Sequence, residues 1–359
     1  MRLARFAAVL IAAALTAFGA FGADYPAPVE GDYVAKSFAF GTGETLDELR
    51  IHYRTVGTLQ RDENGRATNA VLIMHGTTGS GASLVSDNFA GVLFAPGGIL
   101  DAEKYFIILP DGVGHGQSSK PSDGLKMSFP KYDYDDMVRA QYLMLTEGLG
   151  VDHLRLVMGT SMGGMHSWVW AYTYPDFMDA VMPLASLPVE IAGRNRMMRK
   201  MFIDAIEADP EWKGGDYDQK PMRGLTAASY SLIVMSSSPL QFQKQAPTRE
   251  AAEDYLGALV ERLTSYLDPN DAIYAFDASR NYNPQPHLSE IKARLVAINS
   301  ADDQINPPEL KILETEIKNV RRGKAIVLPI TDETRGHGTH SYPAIWGKHL
   351  RALLEATEK

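Results

Sequence analysis

The sequence contains no cysteine. Disulfides, thiol nucleophiles and thiolate metal sites are therefore excluded. It has no excess of positive charge: 35 Lys and Arg stand against 44 Asp and Glu in 359 residues, a formal charge of −9. That balance argues against a nucleic-acid partner, whose binding surface must be basic. The histidines lack metal-site spacing such as H-E-x-x-H, so no metal is expected. There is no internal repeat and no low-complexity tract. Hydrophobic residues at 45% and charged residues at 22% are ordinary globular usage, which excludes disordered, collagen-like and coiled-coil chains.

What is present begins with an export pattern. Arg2 and Arg5 precede an apolar run from Phe6 to Phe21. Ala20 and Gly22 place small residues where a signal peptidase reads, predicting cleavage before Ala23. The run is shorter than the ~20 residues a membrane span needs, and no other stretch is long enough. A retained anchor is the alternative. The segment predicts a periplasmic or secreted protein with no stable membrane insertion after cleavage.

Along the rest of the chain, short β-rich runs alternate with helical patterns. Strands are expected at Leu49–Val56, Ala70–His75, Tyr105–Pro110, Leu154–Gly159, Ala180–Leu184, Arg294–Asn299 and Ala325–Pro329. Helices are expected over 135–149, 162–174, 247–265, 307–319 and 341–356. Such alternation predicts an α/β fold, a mostly parallel sheet with helices on both faces. It breaks between about Pro188 and Asn283, where helical pieces and turns such as Gly214-Gly215-Asp216 occur without a convincing strand. The expected organisation is a signal peptide over 1–22, a core over 23–187 and 284–359, and a helical lid inserted over 188–283.

The strongest chemical signal is Gly159-Thr160-Ser161-Met162-Gly163-Gly164, between a strand and a helical run. This is the context of a nucleophile elbow. A serine on a tight strand-to-helix turn needs glycines at its flanks, because Cβ atoms there would clash. The helix start supplies free N–H groups and a positive dipole end for an oxyanion. His75-Gly76-Thr77-Thr78-Gly79-Ser80 follows another strand, and the main-chain N–H groups of Thr77 and Met162 are assigned to the oxyanion hole. His75 itself reads better as a loop-ordering histidine than as a base.

Asp302-Asp303-Gln304-Ile305-Asn306-Pro307 offers the acid. Asp303 is preferred for its spacing to the proline, with Asp302 the alternative. Gly336-His337-Gly338-Thr339-His340 offers the base, His337 preferred over His340. The chain order is then Ser161, Asp303, His337. Asp111-Gly112-Val113-Gly114-His115-Gly116 has no Gly-Lys-Ser/Thr ending and is read as a tight loop near the pocket floor, with His115 structural.

These motifs, with Tyr174-Pro175-Asp176, the run from Ala205 to Asp216 (AIEADPEWKGGD) and Asp303 to Pro308 (DQINPP), resemble the homoserine O-acetyltransferase-like branch of the α/β-hydrolase superfamily, from about Phe38 to the C-terminus. The resemblance implies the α/β-hydrolase fold, a serine-acyl mechanism, no cofactor and a helical lid; it is compatible with a homodimer. It also shows departures. In the acetyltransferases an Arg, a Tyr and an acid hold the amino-acid acceptor, and the matching positions here are Ser229, Ser236 and Gly338. A serine hydroxyl does not replace a planar guanidinium on a carboxylate. The expected function is thus an exported serine hydrolase acting on an ester or related acyl bond of a small molecule. An O-acyltransferase is the alternative, and a non-catalytic binding protein on the same fold the alternative of another class. Arg194, Arg196 and Arg199 open the lid region and read as a solvated basic face in preference to an anion site. Met197, Met198, Met201 and Phe202 are candidates to cover the pocket.

Overall fold

The computed structural model describes residues 24–358, so the expected signal segment lies outside the described residues. Eight strands form one sheet: β1 (Val29–Ala39), β2 (Thr45–Val56), β3 (Ala70–Met74), β4 (Phe106–Pro110), β5 (Leu154–Thr160), β6 (Met178–Leu184), β7 (Arg294–Ser300) and β8 (Gly323–Leu328). Their spatial order is β1-β2-β4-β3-β5-β6-β7-β8. β1 and β2 run antiparallel at one edge, and every pairing from β4 to β8 is parallel. The helices are α1 (Ala90–Leu93), α2 (Tyr134–Leu143), α3 (Met162–Thr173), α4 (Gly193–Glu207), α5 (Met222–Ser236), α6 (Pro239–Gln245), α7 (Arg249–Tyr266), α8 (Pro269–Asp277), α9 (Ile312–Glu316) and α10 (Pro343–Glu355).

The central parallel strands β3 and β4 are apolar at every position because side chains alternate between two covered faces. Leu72 and Met74 point into a core shared with Trp168 and Trp170 of α3. Val71 and Ile73 point the other way, into a core shared with Trp346, Leu350 and Leu353 of α10. The sheet is thus an α/β sandwich, as expected. β1 was not foreseen: it is a mostly exposed edge strand, with only Ala35 and Phe38 buried along it. The helix expected over 307–319 does not form as one piece. Pro307 and Pro308 lack N–H donors, and Lys311 adopts φ +57°, so the segment breaks into short turns around α9.

Helices α4 to α8 all lie between β6 and β7, and among the described residues no strand falls there. They share a third core, in which Phe202 stacks on Phe276 at 4.0 Å between ring centroids. Ile305, from the loop after β7, joins that core and ties the helices to the sheet. Among the described residues no helix is long and apolar enough to cross a membrane.

Candidate active site

The site lies at the carboxyl ends of the parallel strands, where loops after β3, β5 and β7 meet. Ser161 caps α3 with φ +55° and ψ −110°, a conformation that costs a non-glycine residue strain. The turn is locked by backbone bonds from Ser161 to Leu184 O and from Gly163 to His75 O, both 2.9 Å. Glycine at 163 is a steric necessity: a Cβ there would sit 2.1 Å from the carbonyl oxygen of Met74.

His337 follows β8 on a loop and lies between the other two groups. Its Nε2 is 2.8 Å from Ser161 Oγ, and its Nδ1 is 2.9 Å from Asp303 Oδ2. Asp303 is buried; its other oxygen accepts the N–H groups of Ile305 (2.8 Å) and Asn306 (3.1 Å). Burial pushes its carboxyl up, but the adjacent His337 ring and the bonds from His337 and Asn306 outweigh this and hold it below the usual carboxylate range. An acid kept ionised beside Nδ1 fixes the tautomer in which Nδ1 carries the proton and Nε2 faces the serine.

The alternatives occupy other places. Asp302 does not touch the imidazole; its Oδ2 accepts the N–H of Gly336 at 3.0 Å, and its Oδ1 accepts the hydroxyl of Ser300. Gly336 has φ +59°, and a Cβ there would lie 2.5 Å from Ser237 O, so the loop carrying His337 passes this point as glycine only. His340 is half-buried with its ring 5.3 Å from that of His337, and desolvation, then the His337 charge, pull it down to about 3. It stays neutral and is not hydrogen-bonded to Ser161.

The loop after β3 packs on the serine: a Cβ at Gly76 would lie 3.5 Å from Ser161 Cβ. Thr77 lines the cavity that contains Ser161, and Met162 is the first residue of α3, whose N–H has no preceding helical turn to receive it. His75 accepts the Gly112 N–H at Nε2 (2.9 Å) and therefore donates from Nδ1 to Gly76 O (2.8 Å). Burial, then the neighbouring His115, lower it to about 4. His115 Nε2 lies 2.8 Å from Thr77 O. Both histidines order the loop. Sequence reasoning weighed Asp302 only as the alternative acid and missed two further contributors: Asn306, whose Nδ2 reaches Asp303 Oδ2 at 3.1 Å and Ala185 O at 2.9 Å, and Asp111, which accepts the Gly81 N–H at 2.7 Å. A buried polar side chain near a motif carries no periodic signal that separates a brace from a surface group.

Ser161 and His337 open into a cavity of about 730 Å³ beneath the helices of the lid region. Ser236 and Gly338 both line it, whereas Ser229 is buried in α5 and donates to Leu225 O at 2.8 Å. Met198 lines the cavity, Phe202 is enclosed in the lid core, and Met197 and Met201 are mostly exposed. The solvated reading of the basic residues holds for Arg194 but not for Arg199, which is only 3% exposed and lines the cavity. Position 199 falls on the same helical stripe as Met198, Phe202 and Ile206, so the face that carries it is packed inward. Among the described residues no group of three or more His, Asp or Glu side chains could hold a metal.

A family model described as alpha/beta hydrolase fold matches residues 69–314. A probable acyltransferase of Methanothermobacter thermautotrophicus is 32% identical over 280 residues, 77% of this chain and 83% of that protein. A homoserine O-acetyltransferase of Haemophilus influenzae is 33% identical over 304 residues, 74% of this chain and 81% of that protein. Among solved structures, homoserine O-acetyltransferase from Bacillus anthracis superposes with TM-score 0.79 at 22% identity, covering 91% of this chain and 97% of the other. The acetyl esterase MekB superposes with TM-score 0.79 at 23% identity, with the same coverage. At these identities the two structures speak to the fold alone.

Proposed function

Because the chain belongs to the α/β-hydrolase family, in its homoserine O-acetyltransferase-like branch, and is an enzyme, we propose that it is an exported serine hydrolase that cleaves an ester or related acyl bond and passes the acyl group to water. Ser161 Oγ attacks the acyl carbonyl while His337 Nε2 takes its proton. Asp303 stabilises the imidazolium that forms, and the N–H groups of Thr77 and Met162 receive the oxyanion. His337 then protonates the departing alcohol. Water, deprotonated by the same imidazole, attacks the acyl-enzyme and releases the acid with Ser161 restored.

The observation that carries this reading is the pair of hydrogen bonds, 2.8 and 2.9 Å, linking Ser161 through His337 to Asp303 at the edge of an open cavity. Water as acceptor is supported by the groups at the acceptor-holding positions. Ser229 spends its hydroxyl on its own helix, and Gly338 has no side chain. The export pattern of residues 1–22 agrees, since acetyl-CoA is not expected outside the cytoplasm. A fluorophosphonate probe tests the nucleophile: the account expects one adduct, mapped by mass spectrometry to Ser161 in folded protein. Folded protein that gains no adduct, or gains it elsewhere, overturns the assignment.

The second reading is O-acyl transfer to an alcohol. It is favoured by the two relatives at 32% and 33% identity, a probable acyltransferase and a homoserine O-acetyltransferase. It requires an acceptor held by side chains other than those at 229, 236 and 338.

A further inference from the structure

The cavity above Ser161 is cationic in a protein whose net charge is −9. Arg199, Arg262 and Arg335 line it, and no Asp, Glu or Lys does so among the described residues. None of the three forms an ion pair with a described carboxylate within 4.0 Å, although eleven Lys or Arg pairs with carboxylates occur elsewhere among the described residues. Arg199 is the sharpest case. Its Nε donates to Asn195 Oδ1 at 3.0 Å, its Nη1 reaches Phe276 O at 3.5 Å, and its guanidinium lies 5.8 Å from the centre of the Phe276 ring. All of these partners are neutral. Arg335 lies over the Tyr342 ring at 4.2 Å, and its buried Nε has no hydrogen-bond partner among the described residues.

A guanidinium cannot escape burial by losing its proton. Buried without an opposite charge it is strongly unfavourable, and folded proteins pair such groups. The open space it lines is the cavity that contains the nucleophile. We propose that the substrate brings the missing charge: an ester one of whose halves carries a carboxylate, seated on Arg199, with Arg262 and Arg335 adding to the field that draws it in. A guanidinium fork matches a planar carboxylate through two parallel N–H···O bonds, and the single charge balances the one buried arginine of the three. This deepens the hydrolase reading and rests on it for the chemistry, but the anion subsite is a property of the cavity itself.

Two matched pairs of esters test it. 4-Nitrophenyl hydrogen adipate against 4-nitrophenyl hexanoate places the carboxylate on the acyl half. 4-Acetoxybenzoate against its methyl ester places it on the alcohol half. In one pair the charged ester should exceed its neutral partner at least tenfold in kcat/KM, and that ratio should shrink as salt rises. Arg199→Gln should cut the ratio at least fivefold, and Arg199→Lys should restore part of it. Arg262→Gln, on an exposed helix face, should lower the ratio by a smaller factor and covers the case in which Arg199→Gln does not fold. Equal kcat/KM within both pairs, or a ratio unchanged in the folded Arg199 and Arg262 variants, overturns the proposal. Calorimetry with adipate reads the subsite without turnover. Binding that Arg262→Gln weakens supports it; no binding, or equal binding of inorganic phosphate, overturns the carboxylate assignment. If no ester is turned over and adipate still binds, the hydrolase reading fails while the subsite stands.

Discussion

Asp302 holds the backbone N–H of Gly336 at 3.0 Å, one residue before His337, while its neighbour Asp303 holds the imidazole of His337 itself. Two adjacent acids therefore act on the same histidine through different atoms. Asp303 meets the ring, and Asp302 clamps the loop that carries it.

The two acids should separate in mutagenesis. Asp303→Asn leaves the shape but removes the charge that sets the tautomer, and kcat is expected to fall on the order of 10⁴-fold. Asp302→Asn can only let the loop shift, which is expected to cost about 10- to 100-fold. Steady-state kinetics of the two variants on one ester distinguishes them. Equal losses would mean the acids are not divided as the geometry implies.

Ser161→Ala should lower kcat by about 10⁴-fold or more while the circular dichroism spectrum and the thermal midpoint stay close to those of the parent. A residual rate within tenfold of the parent would remove Ser161 from the mechanism.

Acid should destabilise the fold earlier than carboxylate protonation does. Burial, then the neighbouring His115, hold His75 down at about 4; burial, then the neighbouring His337, hold His340 down at about 3. His115 and His166 are lowered in the same direction, chiefly by burial. In the unfolded chain these imidazoles titrate at about 6.5. Between that value and the folded values the unfolded chain binds protons that the folded chain does not, so stability falls as pH drops below 6.5. Each such proton is worth about 1.4 kcal/mol per pH unit. Asp136 and Asp271, both pushed up to about 6 chiefly by burial, take up protons in the fold below that pH and oppose the trend, so the thermal midpoint should decline between pH 7 and 6; a flat midpoint over that range contradicts buried neutral histidines.

Two glycine-to-alanine changes should have opposite signs. At Gly163 a Cβ would meet the Met74 carbonyl oxygen at 2.1 Å, so β3 and α3 must part, at a cost of about 3 kcal/mol or more and with loss of activity. Gly257 is exposed within α7 and has nothing within 4 Å of a Cβ, so Gly257→Ala should stabilise by about 0.5–1 kcal/mol. Chemical denaturation of both variants checks this.

The parts of the fold legible in the sequence are those with strong local signals. Runs such as Val71–Met74 and Leu154–Met158 are apolar on both faces, and they became β3 and β5. The serine elbow could be read because its glycines are required by backbone clashes. β1 was not legible, since an edge strand with few buried positions carries little hydrophobic pattern. α5 and α8 escaped because their inward faces both pack on α4, and that pairing has no local signature. Arg199 was misread for a related reason. Its type suggests solvent, and only the helix phase relative to the cavity shows that it points inward. The structure places Asp303 and His337, in preference to Asp302 and His340, within hydrogen-bonding reach of one another, a choice that spacing alone left open.

Release of the acyl group to water separates a hydrolase from an acyltransferase. It is tested most directly by following an isotopically labelled acetyl group from 4-nitrophenyl acetate, with and without homoserine, against the Ser161→Ala control. The label is expected to leave as acetate at the same rate in both conditions, and the control to release none above background. Transfer of the label to homoserine would contradict it, and would mean that the acceptor site survives without the groups that Ser229, Ser236 and Gly338 replace.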